Sequence, residues 1–502
     1  MTDKTICIHI FRRDYRLDDN TSLIEACKSH DLVIPIFIFT KKQIDKKLNP
    51  YRSDNCVQFL AHSLKDLDNQ LIKVGSKLNI FYDDKKNDDF SILETLIKTI
   101  PNIKTISFNI DYTYYSKERD TKIKQICNSN NIKCLSLDDI CLNPIGTVVT
   151  SSGNPYSKFT PFWRASAKTE IKKVISNKYN NYYGKTHSTI TTALKKLNKY
   201  IISIDEVVKP NGIIMGPYNT HLPEQGGREN ALKILHNIKH WNDYNDDRDT
   251  LIYQTTHLSP FNKFGCISIR EVYWTMLNKL GKDGEFGLIR QLFWRDFFYN
   301  LSYYYSEEVY KERGLNPKYR EIKWNNDTDN FHKWCNGNTG FPIVDACMRE
   351  LNTTGYMHNR GRLITSNFLC RLLHIDWKLG EQYFATHLYD YDPAQNNFGW
   401  QVSGSNSSGT TSRPLEQTIM NPWIQSAKHD NDGKYIKKWC PELIDVIPRD
   451  LHKWNEVYTK YIKDNDSAGV GDNNTKTIKY IKPMIDYKIE KEKNLKMYRK
   501  YL

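Results

Sequence analysis

Asp390, Asp392 and Asn396 fall within seven residues just ahead of Trp400. Carboxylates and an amide at that density either close Asx turns in a loop or line a polar pocket. In a pocket each carboxylate needs a partner, because an unpaired buried charge is costly. A second group, Thr255, Thr256, His257, Leu258 and Ser259, sets three hydroxyls within five residues. Such hydroxyls cap a helix or, helped by the helix dipole, satisfy anionic oxygens of a ligand. The chain also holds 11 Trp. Indole oxidises readily, so it can carry an electron as well as fill a core.

These residues need scaffolds, and the periodicity supplies two. Apolar runs at 6–11, 32–39, 78–82 and 103–110 have strand length, and LVIPIFIF fits a strand buried on both faces. Between them lie helical patterns. The clearest places Val57, Leu60, Leu64, Leu67 and Leu71 at three- and four-residue steps, with Ser53 or Asp54 positioned to cap it. Alternating strands and helices predict βαβ units, and so a doubly wound parallel α/β domain over 1–135. No GxGxxG follows the first strand and no GxxxxGK[ST] occurs anywhere, so two common phosphate-binding loops are absent. Residues 136–215 lack periodicity and are expected to be an interdomain linker crossing the surface. Aromatic-rich helical segments over 216–450 predict a larger all-α domain able to enclose a sizeable ligand. Residues 451–502 read as a basic tail ending in a helix.

The balance of 72 Lys+Arg against 58 Asp+Glu leaves a net charge of +14, which favours an anionic partner: nucleic acid, anionic membrane or an acidic protein. No stretch approaches the ~20 apolar residues of a membrane span, and the first residues lack a signal-peptide pattern. Eleven cysteines, none in a CxxC pair, argue against a disulfide framework, a zinc ribbon or an iron–sulfur cluster. No metal is expected. A reducing intracellular location, cytoplasm or nucleus, follows as the expectation.

Several blocks of the helical half carry more specificity together than any one alone: TTHLSPFNKFGCISIRE from Thr255, QLFWRDFF from Gln291, FPIVDACMRELNTTGYMHNRGR from Phe341 and DYDPAQNNFGW from Asp390. In this order and spacing they resemble the cryptochrome/photolyase family of blue-light flavoproteins, as does FRRDYRLDDN near the N-terminus. The resemblance implies an α/β domain followed by a helical domain holding FAD, and repair of UV-damaged DNA by an electron from photoexcited reduced flavin. It implies flavin contacts from Tyr244, Thr255, Thr256, His257, Leu258, Ser259, Gln291, Arg295, Arg362, Asp390, Asp392 and Asn396. Arg362 would pair with Asp390, Asp392 would lie on the polar edge of the flavin ring, and Asn396 would face its N5. Trp400, Trp377 and Trp324 match the family's electron-carrying tryptophan chain. Arg248, Trp294, Asn359, Arg360, Leu363 and Gln425 match positions that face DNA or the lesion. There an indole can stack on an unstacked base, worth ~1–3 kcal/mol, and a guanidinium can hold phosphate. A poorly stacked pyrimidine dimer also costs less to flip out than a normal base.

The pattern is nearest to the class I enzymes that split cyclobutane pyrimidine dimers, with departures. Gln291 stands where those enzymes carry Glu and looks more like the (6-4) photolyases. Val402 replaces a lesion-packing aromatic, and residues 403–420 lengthen the following segment. Against the (6-4) reading, Asn359 and Leu363 occupy the places of its two proton-donating histidines, and neither can act as a general acid. The NRGR and DYDP pieces also resemble DASH-type cryptochromes, which favour single-stranded DNA. The alternative from another class is a signalling cryptochrome that repairs nothing; the short stretch after Pro441-Glu442-Leu443, not of low complexity, and the positive charge favour repair. A monomer is expected. FNIDYTYYSKERD is the expected antenna-side segment, and nothing in it chooses between a folate, a deazaflavin or no antenna chromophore.

Overall fold

The computed structural model describes residues 4–83, 90–184, 188–281, 287–305, 314–404, 415–462 and 478–501. They form two compact units interleaved along the chain: 1–242, 256–305 and 389–394 in the first, 243–255, 306–388 and 395–502 in the second. The contiguous division expected from the sequence thus differs from the observed one, since 256–305 groups with the α/β unit.

The first unit is built on a five-stranded parallel sheet of order β3-β2-β1-β4-β5, with β1 at Ile6–Ile10, β2 at Leu32–Phe39, β3 at Asn79–Tyr82, β4 at Ile103–Asn109 and β5 at Lys133–Leu137. Every residue of β1 is buried, as a central strand covered on both faces requires. Ser53 caps the helix Asp54–Lys73 by accepting from the Cys56 amide, and Leu64, Leu67 and Leu71 form its buried stripe. The strand order reverses between β1 and β4. In open α/β sheets this is where a ligand crevice forms beyond the strands' carboxyl ends.

The stretch 136–215 corrects its expected role as a surface linker. Tyr182 bridges to Val33 beside β2, while Tyr183, Ile190, Leu194, Leu197 and Tyr200 join Ile92, Leu96 and the strands in one buried cluster. Its Lys- and Asn-rich composition hides apolar residues that are spaced to cover one side of the sheet.

The FRRDYRLDDN loop leaves β1 and sinks its charges into ion pairs. Arg12 meets Asp120, Arg13 meets Asp392 and Asp111, Arg16 meets Asp139, and Arg270 reaches both Asp19 and Asp139 at 2.8 Å. Asp139 illustrates the balance: burial alone would raise its carboxyl pKa, yet Arg16 and Arg270 hold it far below the usual range. Buried pairs of this kind demand one geometry, since losing either partner strands a charge.

The second unit is helical. Pro342–Thr354, Asn359–Asn367, Trp377–His387, Pro422–His429 and Lys434–Trp439 are its main described helices, with Trp334 and Trp454 fully buried among them. A π-helical turn at Phe368–Leu372 carries Arg371, whose buried guanidinium lies 3.8 Å from the Tyr498 ring of the final helix, Tyr487–Arg499. His374 Nε2 also meets Glu490 of that helix at 2.8 Å. No described helix is long and apolar enough to cross a membrane. Among the described residues no group of His, Cys, Asp or Glu is arranged to hold a metal ion.

Candidate functional site

Each unit carries part of the residue set singled out by its chemistry. In the first, Ser259 opens the short helix Ser259–Phe264, with Pro260 in its first turn. Its Oγ donates to Asp390 Oδ2 at 2.7 Å, so two sequence-predicted residues 131 positions apart are in contact. His257 takes a left-handed backbone (φ 51°), uncommon for a side chain of its size, and its ring nitrogen lies 3.4 Å from the Tyr389 hydroxyl. Thr256 Oγ1 accepts weakly from the Leu258 amide at 3.4 Å.

Asp392 is more committed than the sequence suggested. One carboxylate oxygen receives both the Arg13 guanidinium and the Tyr299 hydroxyl, and the other accepts from the Ala394 amide at 3.0 Å. Burial would raise its pKa, but Arg13 and Tyr299 hold it below the usual carboxylate range. A polar-edge contact through this side chain must therefore share oxygens already in use. Arg295 donates to the main-chain oxygens of Ile140 (2.7 Å) and Asn262 (3.3 Å), and its guanidinium lies 4.8 Å from the Tyr299 ring. The Gln291 amide reaches back to Gly287 O at 3.4 Å. Trp294 lies nearly parallel to Phe159, with ring centroids 3.6 Å apart at 9°, so one indole face is covered within the unit.

In the second unit, Asn396 Nδ2 donates to Glu381 O and Glu381 Oε1 at 2.9 and 3.0 Å. This double anchor turns Oδ1 to the opposite side of the amide. Trp400, one turn further along the helix Pro393–Ser403, packs edge-on to Trp334 (6.1 Å) and Phe384 (5.0 Å). Its ring lies against Gly380, where a Cβ would come within 2.2 Å of it. Trp377 begins the helix that carries Gly380 and is buried one turn before it. Trp324 is half-buried and lines a cleft of about 560 Å³ with Leu372, His374 and Glu490. Trp334 is thus a direct neighbour of Trp400.

Thr255 shares a hydrogen bond with the Tyr356 hydroxyl (2.9 Å), and Arg362 Nε donates to Met357 O (2.8 Å). Tyr244 and Arg248 stand one turn apart; burial pushes the Tyr244 hydroxyl up to about 12 despite Arg248 nearby. Arg360 is not a free surface charge: its Nη2 pairs with Asp249 at 2.6 Å. Burial would raise Asp249, yet Arg360 holds it below its ordinary value. His429, which the sequence reading passed over, sits in the same electrostatic group. Burial first and then Arg360 lower its pKa to about 4, leaving a neutral imidazole at neutral pH. Asn359 is exposed at the first helical position after its cap, with Leu363 half-buried one turn on and Gln425 half-buried on Pro422–His429. The cap is His358, whose Nδ1 accepts from the Arg360 amide at 3.1 Å.

A separate cavity of about 280 Å³ lies within the first unit, lined by the ends of β1 and β2. Asp111, Thr113, Tyr115, Ser116 and Arg119, all from FNIDYTYYSKERD, contribute to its wall. The segment expected on the antenna side therefore does border a cavity.

One chain thus carries a parallel-sheet unit with a cavity at the ends of β1 and β2 and a helical unit rich in indoles and buried polar groups. Residues 7–177 match the family model described as DNA photolyase, and 288–500 match the FAD binding domain of DNA photolyase. A deoxyribodipyrimidine photo-lyase from Alkalihalophilus pseudofirmus is 32% identical over 90% of this chain and 91% of its own length. Another from Vibrio cholerae is 31% identical over 97% and 98%. An archaeal photolyase from Sulfolobus tokodaii, solved with two FAD molecules, aligns at a TM-score of 0.78 and 32% identity, covering 99% of this chain and 100% of that one. A Synechocystis cryptochrome at 24% identity (TM-score 0.81, covering 98% and 99%) shares the fold. The chain belongs to the DNA photolyase/cryptochrome family and carries its FAD-binding domain.

Proposed function

We propose that the chain is a deoxyribodipyrimidine photo-lyase that uses light to split cyclobutane pyrimidine dimers in DNA. The observation that carries this reading is the near full-length likeness to enzymes of that name at 31–32% identity. The residues present suit FAD. Hydroxyls at Thr256 and Ser259 and the guanidiniums of Arg295 and Arg362 match the needs of a pyrophosphate and an electron-rich ring. Asn396, its nitrogen fixed by Glu381, offers Oδ1 as an acceptor for a proton held at flavin N5. Tyr244, Thr255, His257, Leu258, Gln291, Asp390 and Asp392 complete the proposed contacts.

When bound, FAD supplies the photoexcited electron that breaks the dimer. The chain's own residues do the rest. Trp294, backed by Phe159, is the indole that would stack on the flipped-out base. Arg360 and Arg248 neutralise phosphate, while Asn359, Leu363 and Gln425 border the lesion. Trp324, Trp377 and Trp400 pass an electron inward from the surface. The exposed amide at Asn359 and the aliphatic side chain at Leu363 offer no acid for (6-4) repair, which supports cyclobutane dimers. The cavity bordered by Tyr115 and Arg119 is the proposed antenna position, and its lining does not select the chromophore.

The test is illumination of purified protein with oligonucleotides carrying each lesion separately, single- and double-stranded. Restoration of cyclobutane-damaged strands alone is expected. Repair of (6-4) lesions, or of neither, would replace this reading by the (6-4) or the signalling alternative.

A further inference from the structure

The segment 156–178 concentrates positive charge on the surface. It holds six cations, Lys158, Arg164, Lys168, Lys172, Lys173 and Lys178, against one acid, Glu170. That is five of the chain's fourteen net positive charges in 23 residues, and all six cations are exposed. Charges needed only for solubility would be spread over the surface and mixed in sign.

What these cations flank gives them direction. The helix Phe159–Ser166 is tied to Trp294 by an aromatic column. Phe159 stacks on the indole, the Arg290 guanidinium lies 5.1 Å from the Phe159 ring, and the same guanidinium lies 4.5 Å from the half-buried Trp163. Further on, Lys173 Nζ sits 3.2 Å from the Trp274 ring, and the Trp274 indole donates to Lys172 O at 2.9 Å. Exposed cations held in place by ordered aromatics are what a surface needs to follow the phosphates of a nucleic-acid strand.

We propose that 156–178 is a strand-tracking surface, continuous with Trp294, that binds the single-stranded DNA flanking the lesion. This rests on the photo-lyase reading for its partner. The column fixes the start of the surface beside the indole proposed to stack on the damaged base, so the flanking phosphates meet Lys158, Arg164 and Lys168 first. Steering by this surface also brings DNA to Trp294 in one orientation.

The experiment compares the full-length holoprotein with the triple variant Lys158→Ala, Arg164→Ala, Lys168→Ala, all exposed side chains. Binding of an undamaged single strand of about 16 nucleotides is followed against salt, and repair of a cyclobutane dinucleotide is measured separately. Loss of three phosphate contacts lowers the slope of log K against log salt by about 2 and weakens binding by ~10-fold or more at low salt. Dinucleotide repair, which has no flanking strand, stays unchanged. An unaltered slope overturns the surface and leaves the photo-lyase reading intact. A wild type that repairs nothing, with the slope still falling in the variant, removes the photo-lyase reading and leaves the surface standing.

Discussion

Asn396 and Glu381 are bound twice through one amide nitrogen, at 2.9 Å to the main chain and 3.0 Å to the carboxyl. The contact fixes which end of the amide faces away from Glu381. In Glu381→Ala the main-chain bond alone survives and holds the amide less firmly. Removing one such hydrogen bond, worth ~1–1.5 kcal/mol, is expected to speed air oxidation of the reduced flavin by about tenfold. Flavin content should hold. The measurement is flavin absorbance after anaerobic photoreduction and admission of air, and an unchanged rate would detach Asn396 from the N5 assignment.

Trp324→Phe separates photoreduction from repair. With the outermost indole gone, flavin photoreduction should slow by about tenfold or more, while repair by chemically prereduced protein persists. Equal loss of both would remove Trp324 from the relay. Gly380→Ala probes the inner end: its Cβ would come within 2.2 Å of the Trp400 ring, so the indole or the helix must shift. Overpacking of this sort costs ~1–3 kcal/mol, measurable by denaturant unfolding, and should slow photoreduction as well.

Four of the five strands could be read from the sequence because a strand buried on both faces needs an unbroken apolar run, which β2 supplies as LVIPIFIF. β5, KCLSL, could not: at the sheet edge it is only partly buried, and Lys133 and Ser136 break its apolar pattern. The 136–215 stretch hid its core residues among lysines and asparagines for a similar reason. At the site, Ser259 and Asp390 were visible as chemical types, but their contact was not. Nor was the Arg13 partner of Asp392, which lies 379 residues away. Long-range pairing is a property of the fold, and one sequence carries no signal for it. The Trp334 contact with Trp400 and the His429 environment were missed on the same ground.

Arg360 and Asp249 form a pair that DNA must reopen. The Asp249 side chain is 42% exposed, so the bridge is worth little by itself, ~0–1 kcal/mol. A phosphate arriving at Arg360 must nonetheless compete with the carboxylate and approach its negative charge. Asp249→Asn is therefore expected to strengthen DNA binding a few-fold at low salt, an advantage that fades as salt rises. Arg360→Ala should weaken binding and reduce the salt slope by about 1. Titration of both variants against the same oligonucleotide tests the pair; weaker binding by Asp249→Asn would mean that the carboxylate positions Arg360 rather than masking it.

Glu350 supplies the clearest dependence on pH. It accepts from the Tyr435 hydroxyl at 2.7 Å and from the His358 amide at 3.4 Å, just before the helix that bears Asn359, Arg360 and Arg362. Burial raises its pKa from an ordinary 4.5 to about 7, only partly offset by the Tyr435 and His358 bonds. Between those two values the folded chain holds a proton that the unfolded chain has released, so stability falls as pH rises through this window. The contribution is whole below 4.5 and is lost by the time pH passes about 7, on the order of 3 kcal/mol in all. Asp296 and Asp430, raised by burial to about 6, slope the same way. Glu350→Gln keeps an acceptor for both bonds and removes the titration. It should flatten the decline in unfolding free energy between pH 5 and 8 and leave the variant more stable than wild type at the upper end. Parallel curves for the two proteins would show that Glu350 does not titrate in this range.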